Sequence, residues 1–172
     1  KGSFMSNPYY EQVVGGFSHA MRASSAILDK AKVHADANKF DLANILASRL
    51  FPDMFACTRQ FQIATDIAKG AAARLTGSEP PKWDDSETIV EQIQARIGKA
   101  LDYLASFSPN QFEGAATRAI EVKTPAGDFR FTGQTFLVQW AVPNFYFHCA
   151  TAYNLLRHAG VPIGKVDFLG KL

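Results

Sequence analysis

The sequence predicts an all-α domain, a four-helix bundle with a small β-hairpin ahead of its last long helix. Three observations predict it. Apolar residues recur at alternating steps of three and four along four long segments, which keeps one side of each helix apolar. A single stretch, "AIEVKTPAGDFRFT" (119–132), alternates apolar and polar residues with a period of two. And 172 residues that are 47% hydrophobic and 20% charged are enough chain, of the right kind, for one buried core.

The first long helix is expected from Tyr9 to Val33, with Val13, Phe17, Ala20, Ser24, Ile27 and Ala31 inward. Asp36 to Asn38 should break it, and "KFDLANILASRL" reads as a short helix that stops before Pro52. Proline is tolerated in the first turn of a helix, so Pro52 should start the second long helix, from about Asp53 to Leu75. Its inward stripe is Met54, Cys57, Phe61, Ala64, Ala68, Ala71 and Leu75; Arg59, Gln62, Asp66 and Lys69 form its wet side.

"TGSEPPKWDD" is the clearest loop, because Gly77, Pro80 and Pro81 stop a helix. Asp85 or Ser86 should cap the third helix, with Val90, Ile93, Ile97, Leu101 and Leu104 inward. "TPAGD" is the turn of the hairpin, which must lie on the bundle because two strands cannot hold themselves. The last helical pattern runs from Gly133 to Gly160. Pro143 interrupts it, removes a hydrogen bond to Gln139 and predicts a kink or restart. Gly160 fits a left-handed stop, and residues 161–172 should be an extended tail. Lys1 to Phe4 precede Met5 and read as a cloning remnant; residues 1–172 otherwise read as a single domain.

Several function classes are disfavoured at this level. The net charge is +2, with Lys and Arg scattered rather than striped, which argues against a nucleic-acid partner. No apolar run approaches the roughly 20 residues that span a bilayer, so no membrane role is expected. "GVPIGKVDFLG" lacks the spacing of a phosphate-cradling loop. Cys57 and Cys149 are too few for a disulfide framework and read as free thiols of a cytoplasmic protein. His19, His34 and His158 fall off the inward stripes or near helix ends and read as surface residues.

His148 is different. On the last helix it shares a stripe with Ala141, Phe145, Ala152, Leu155 and Ala159, and so points inward, with Asn144 one turn earlier. A buried imidazole needs partners for both nitrogens, and each one left unpaired costs about 1–3 kcal/mol. Two answers stay open: a hydrogen-bonded polar plug, or a metal ligand.

The run "HCATAYNLLRHAG" resembles the end of the metal-binding helix of the DinB/YfiT-like superfamily. There a histidine lies nine residues before an arginine that precedes a glycine stop, and His148, Arg157 and Gly160 match that layout. More closely, "RLFPDMFACTRQFQIATDIAKGAAARLTG" and "PNFYFHCATAYNLLRHAGVPIGKVDFLG" resemble a bacterial subfamily known only as a domain of unknown function, over Tyr9 to Gly170. The resemblance implies a DinB-like bundle. It also implies a superfamily that includes metal-dependent thiol transferases and hydrolase-like enzymes.

The superfamily pattern offers three histidines, two spaced H-x-x-x-H on the last helix and one on the second. This chain has Asn144 at the first of that pair and no histidine between Asp53 and Leu75, so only His148 carries over as a metal ligand. Asp53 and Gln60 are the available substitutes. Together with Asn144 and His148 they make a poor set for zinc, which prefers His, Cys and carboxylate.

The expected function is therefore a small-ligand-binding or interaction module with a degenerate divalent-metal site, built around Asp53, Gln60, Asn144 and His148. The alternative is a metal-dependent hydrolase or thiol-transferase-like enzyme with a metal-bound water or thiol near His148. A homodimer is the expected assembly, since two-fold pairs are the commonest oligomers.

Overall fold

The computed structural model describes residues 7–171; Lys1 to Phe4 lie outside the described residues. The first rod is assembled from an α-turn, Pro8–Tyr10, a π-helical stretch, Glu11–Gly16, and the α-helix α1, Phe17–Asn38. Asn7 caps its start, its side chain accepting from the amides of Tyr9 and Tyr10. Val13, Phe17, Ala20, Ile27 and Ala31 are buried as the spacing predicts, and Ser24 is half-buried. The helix outruns the expected break at Asp36. Asn38 donates to the His34 carbonyl at 2.8 Å, and Lys39, at φ 58°, takes the left-handed position that ends it.

The second long helix, α2, is Cys57–Thr76, so Pro52 does not start it. Instead Phe51 to Met54 form a turn closed by Met54 N–H to Phe51 O at 3.0 Å. The fixed φ of proline suits the second position of such a turn as well as it suits a helix start. The short helix before it is only Ala43–Leu46. α2 is buried nearly all round, and the supposed wet side includes Gln62 and Lys69, which are both buried.

The cause is the connection 77–89. Gln62 meets Glu87 and Thr65 meets Arg96, so the third long helix, α3 (Val90–Ala105), runs parallel to α2. The chain must therefore return along the length of the bundle before α3 begins, and this strap covers the side of α2 that would otherwise face water. Neither Asp85 nor Ser86 caps α3. Asp85 and Glu87 are engaged by Arg59, Gln62 and Arg96, and the amides of Thr88 and Ile89 bond instead to the Gln92 side chain.

β1 (Ala119–Thr124) pairs antiparallel with β2 (Gly127–Thr132) in register Ala119↔Thr132 to Thr124↔Gly127. Buried Ile120 and Val122 fasten this hairpin to the core. The last rod begins with Gly133–Thr135, widens to a π-helix over Phe136–Ala141 and continues as α4, Val142–His158. Pro143 thus stands in the first turn of α4, directly after the widened stretch. That is the expected restart: a wider ladder there avoids the missing N–H of proline. Gly160, at φ +93°, stops the helix.

α4 runs antiparallel to α2, with His148 opposite Gln60 and Gly133 beside Leu75. It runs parallel to α1, Phe17 stacking on Phe145 at 4.2 Å between centroids. α1 and α3 are antiparallel, through Asp29–Gln94 and Lys32–Glu91. The result is an up-down-down-up bundle around one apolar core. Residues 161–171 are not simply extended. Lys165–Leu169 form a short helix on α1, held by Asp167, which accepts from Gly164 N at 2.8 Å and pairs with Lys30 at 2.6 Å.

Candidate functional site

His148 reaches the interior from the second turn of α4, and Gln60 meets it from the first turn of α2. Only 8% of His148 is exposed, against 1% of Gln60. His148 Nδ1 lies 2.6 Å from Gln60 Oε1, and Gln60 Nε2 donates to the Phe55 carbonyl at 2.9 Å. The second bond decides the first. A carbonyl can only accept, so the amide NH₂ must face Phe55 and the amide oxygen must face the imidazole. Nδ1 then carries the proton, and Nε2 carries the lone pair.

No buried side-chain nitrogen or oxygen lacks a partner among the described residues, and Nε2 has no hydrogen bond there. The lone pair is therefore not sealed from solvent. Burial, with the Arg59 charge second, lowers the pKa of His148 from 6.5 to about 4, so the ring is neutral at physiological pH. Phe147 sets its edge against the ring at 5.1 Å, and Arg59, ion-paired with Asp85, lies over Phe55. Phe55 and Phe147 are both exposed, 55% and 54%, and Phe147 is the aromatic side chain that flanks the imidazole.

Of the four candidate residues, the structure brings together Gln60 and His148. Asp53 is exposed on the Phe51–Met54 turn, because the helix that was to carry it inward starts four residues later. Asn144 is half-buried and makes no side-chain hydrogen bond among the described residues. Phe55 and Arg59 escaped the sequence reading. The signal for Arg59 was its place one residue before Gln60; the Phe55 contribution is a backbone carbonyl, which residue type does not reveal.

The donor set does not fit a divalent metal. Among the described residues, no three His, Cys, Asp or Glu side chains gather where they could hold one. His148 offers one nitrogen, and its only side-chain hydrogen-bond partner is a neutral amide. Burial pushes the Cys57 and Cys149 thiols up to about 12, so each is a neutral thiol in the metal-free chain. A Cys–His dyad fails for the same reason.

A second polar interior, absent from the sequence reading, lies along α2 and α3. Arg96, 4% exposed, bonds to Thr65 Oγ1 and the Asp84 carbonyl, both at 2.8 Å, and pairs with Asp66 at 2.8 Å and Glu87 at 3.2 Å. Lys69 pairs with Asp66 at 2.6 Å, and Trp83 lies between its ammonium, 4.2 Å from the ring centre, and that of Lys99, at 4.6 Å. This knot fastens the strap to the bundle.

The profile of a family described as Domain of unknown function (DUF1993) matches residues 9–169. A crystal structure of a DinB family member protein from Shewanella denitrificans is 44% identical and covers 95% of this chain and 92% of its own, with a TM-score of 0.88. No curated protein matches.

Proposed function

The chain belongs to the DUF1993 family, with a DinB-like fold, and from that premise we propose that it is a small-ligand-binding module without a metal. His148 Nε2 acts as a fixed, neutral hydrogen-bond acceptor at the centre of the site. The relay from the Phe55 carbonyl through Gln60 to Nδ1 carries this reading: it spends one ring nitrogen on orientation and leaves the other free. The exposed aromatic ring of Phe147 beside a lone acceptor favours an apolar or aromatic ligand that bears one hydrogen-bond donor. A cation is disfavoured next to Arg59. The metal-assisted enzyme is the weaker reading, since it needs ligands that Asp53 and Asn144 do not bring.

The partner is a second copy of this chain, docking through the exposed side chains of Leu50 and Phe51. A cytoplasmic location is the reading that two free cysteines, Cys57 and Cys149, support; among the described residues no helix is long and apolar enough to cross a membrane.

The test is nitrogen NMR of the His148 ring with phenol as probe, on untagged protein whose metal content has been measured. The expected result is an Nδ1–H tautomer whose Nε2 resonance shifts saturably with phenol, in metal-free protein. An Nε2–H tautomer, or stoichiometric metal lost in His148→Ala, overturns the reading. Light scattering on the same sample should give twice the chain mass.

A further inference from the structure

The far end of α2 holds a feature unrelated to His148, about 20 Å away at 1.5 Å per residue. There, a cleft of about 650 Å³ opens between the helix terminus and β1. Three cationic side chains line it: Arg74, Arg118 and Lys123. Two carboxylates share the lining, Glu79 and Glu121. Glu121 is already matched by Arg130 across the hairpin at 3.3 Å. Arg74 is half-buried and makes no ion pair among the described residues, since Glu79 stays beyond pairing distance. Burial lowers its pKa, and the more distant Glu79 carboxylate offsets only part of that.

Two details show how the guanidinium groups are held. The Arg74 Nη1 lies over the backbone of Gly70, where a Cβ would fall 2.4 Å from it, so the missing side chain at 70 makes room for the arginine. Arg118 donates through Nε to the Leu75 carbonyl at 3.1 Å and through Nη2 to the Glu113 carbonyl at 3.4 Å, and among the described residues no carboxylate pairs with it. A helix C-terminus disfavours anions. Here the Arg118 bond to Leu75 covers part of that negative end, and three cations outweigh the rest.

We propose that this cleft binds a phosphate monoester, with Arg74 and Arg118 on the phosphate oxygens, Lys123 beside them, and Glu79 accepting from a hydroxyl of the ester. Planar guanidinium forks suit the paired oxygens of a phosphate. The volume falls within the ordinary range of small-molecule sites, about 300–1,000 Å³. The proposal is independent of the His148 reading.

The experiment is an amide NMR titration with inorganic phosphate and with glycerol phosphate, using sodium chloride at matched ionic strength as control. Saturable shifts are expected at Gly77, Ser78 and residues 118–120, with glycerol phosphate binding more tightly, and nothing comparable from chloride. Arg74→Gln should weaken binding about tenfold or more, the scale of one lost charge-assisted contact. Gly70→Ala is the second variant. It should displace Arg74 and weaken binding while the melting temperature holds or rises, because alanine favours a helix interior. Shifts that chloride reproduces, or unchanged affinity in both variants, overturn the proposal. Glycerol phosphate binding no better than inorganic phosphate overturns the role of Glu79.

Discussion

The two buried polar clusters of this bundle sit on the same helix and end in opposite states. Around Arg96 almost every donor is spent: Thr65, Asp66, Asp84 and Glu87 converge on one guanidinium. Around His148 the hydrogen bonds run in one line, from the Phe55 carbonyl to Gln60 to Nδ1, and stop at a nitrogen with a free lone pair. A saturated charged knot holds chain to chain. An unsaturated neutral pair holds a single atom ready for something else. Burial alone does not separate them, since 4% and 8% exposure are nearly the same; the count of unspent lone pairs does.

The largest effect that could break this contrast is expected at the knot. Arg96→Met removes the charged group that joins the strap to both helices, and it strands Asp66 and Glu87 beside a buried surface. Loss of one partner from a buried ion pair costs about 3–5 kcal/mol, and the partial exposure of Asp66 places this case at the lower end, about 3 kcal/mol. Urea unfolding followed by circular dichroism should show it as a lower midpoint. A midpoint close to that of the unaltered protein would mean that the strap is held by Trp83 packing rather than by charge.

The second effect sharpens the other half. Gln60→Leu keeps the volume and removes both links of the relay, so the Phe55 carbonyl and His148 Nδ1 lose their partners. About 2 kcal/mol of stability should go with them. The more telling readout is the ring itself, which is then free to change tautomer. Nitrogen NMR should show a mixture in place of the single Nδ1–H form. A ring still locked as Nδ1–H would assign the orientation to some other group.

The two clusters also differ in how far the sequence disclosed them. His148 was legible because a helix has a period, and a polar residue at an apolar position on that period stands out. Gln60 came in another way, as a substitute for the histidine that the superfamily resemblance implies on the second helix; the hairpin and the Gly160 stop were legible from local pattern. Arg96 sits beside the Ile93–Ile97–Ala100 stripe on what should be a wet face, and nothing local says that a strap covers it. The strap is a consequence of α3 running parallel to α2, a fact of topology. The misplaced starts of α2 and α3 have one root. Pro52 and Asp85 both belong to residue types that serve turns and helix starts alike, and contacts distant in sequence, Ser48 to Cys57 and Arg59 to Asp85, decide between the two uses.

The smallest expected effect concerns pH, and it separates the clusters most cleanly. The folded ring of His148 titrates near 4, while in the unfolded chain it returns to about 6.5. Between those values the unfolded state binds more protons than the folded one, so stability rises with pH across that window. The contribution is complete above about pH 6.5 and is lost as pH falls toward 4. The full shift overstates its size, because Nε2 reaches solvent, and about 1–2 kcal/mol is the appropriate scale after that screening. Unfolding midpoints at pH 7.5, 6, 5 and 4.5 should therefore fall by that amount in the unaltered protein. In His148→Phe, which keeps a ring and loses the proton site, the fall should be smaller by the same amount. Acidic groups contribute to both proteins alike, so the difference between the two profiles isolates the imidazole. Identical profiles would mean that the folded ring keeps the unfolded value near 6.5 and becomes protonated as soon as the pH drops below neutral. A charged Nε2–H cannot accept a hydrogen bond, and the site would then have to recognise an anion instead of a neutral donor.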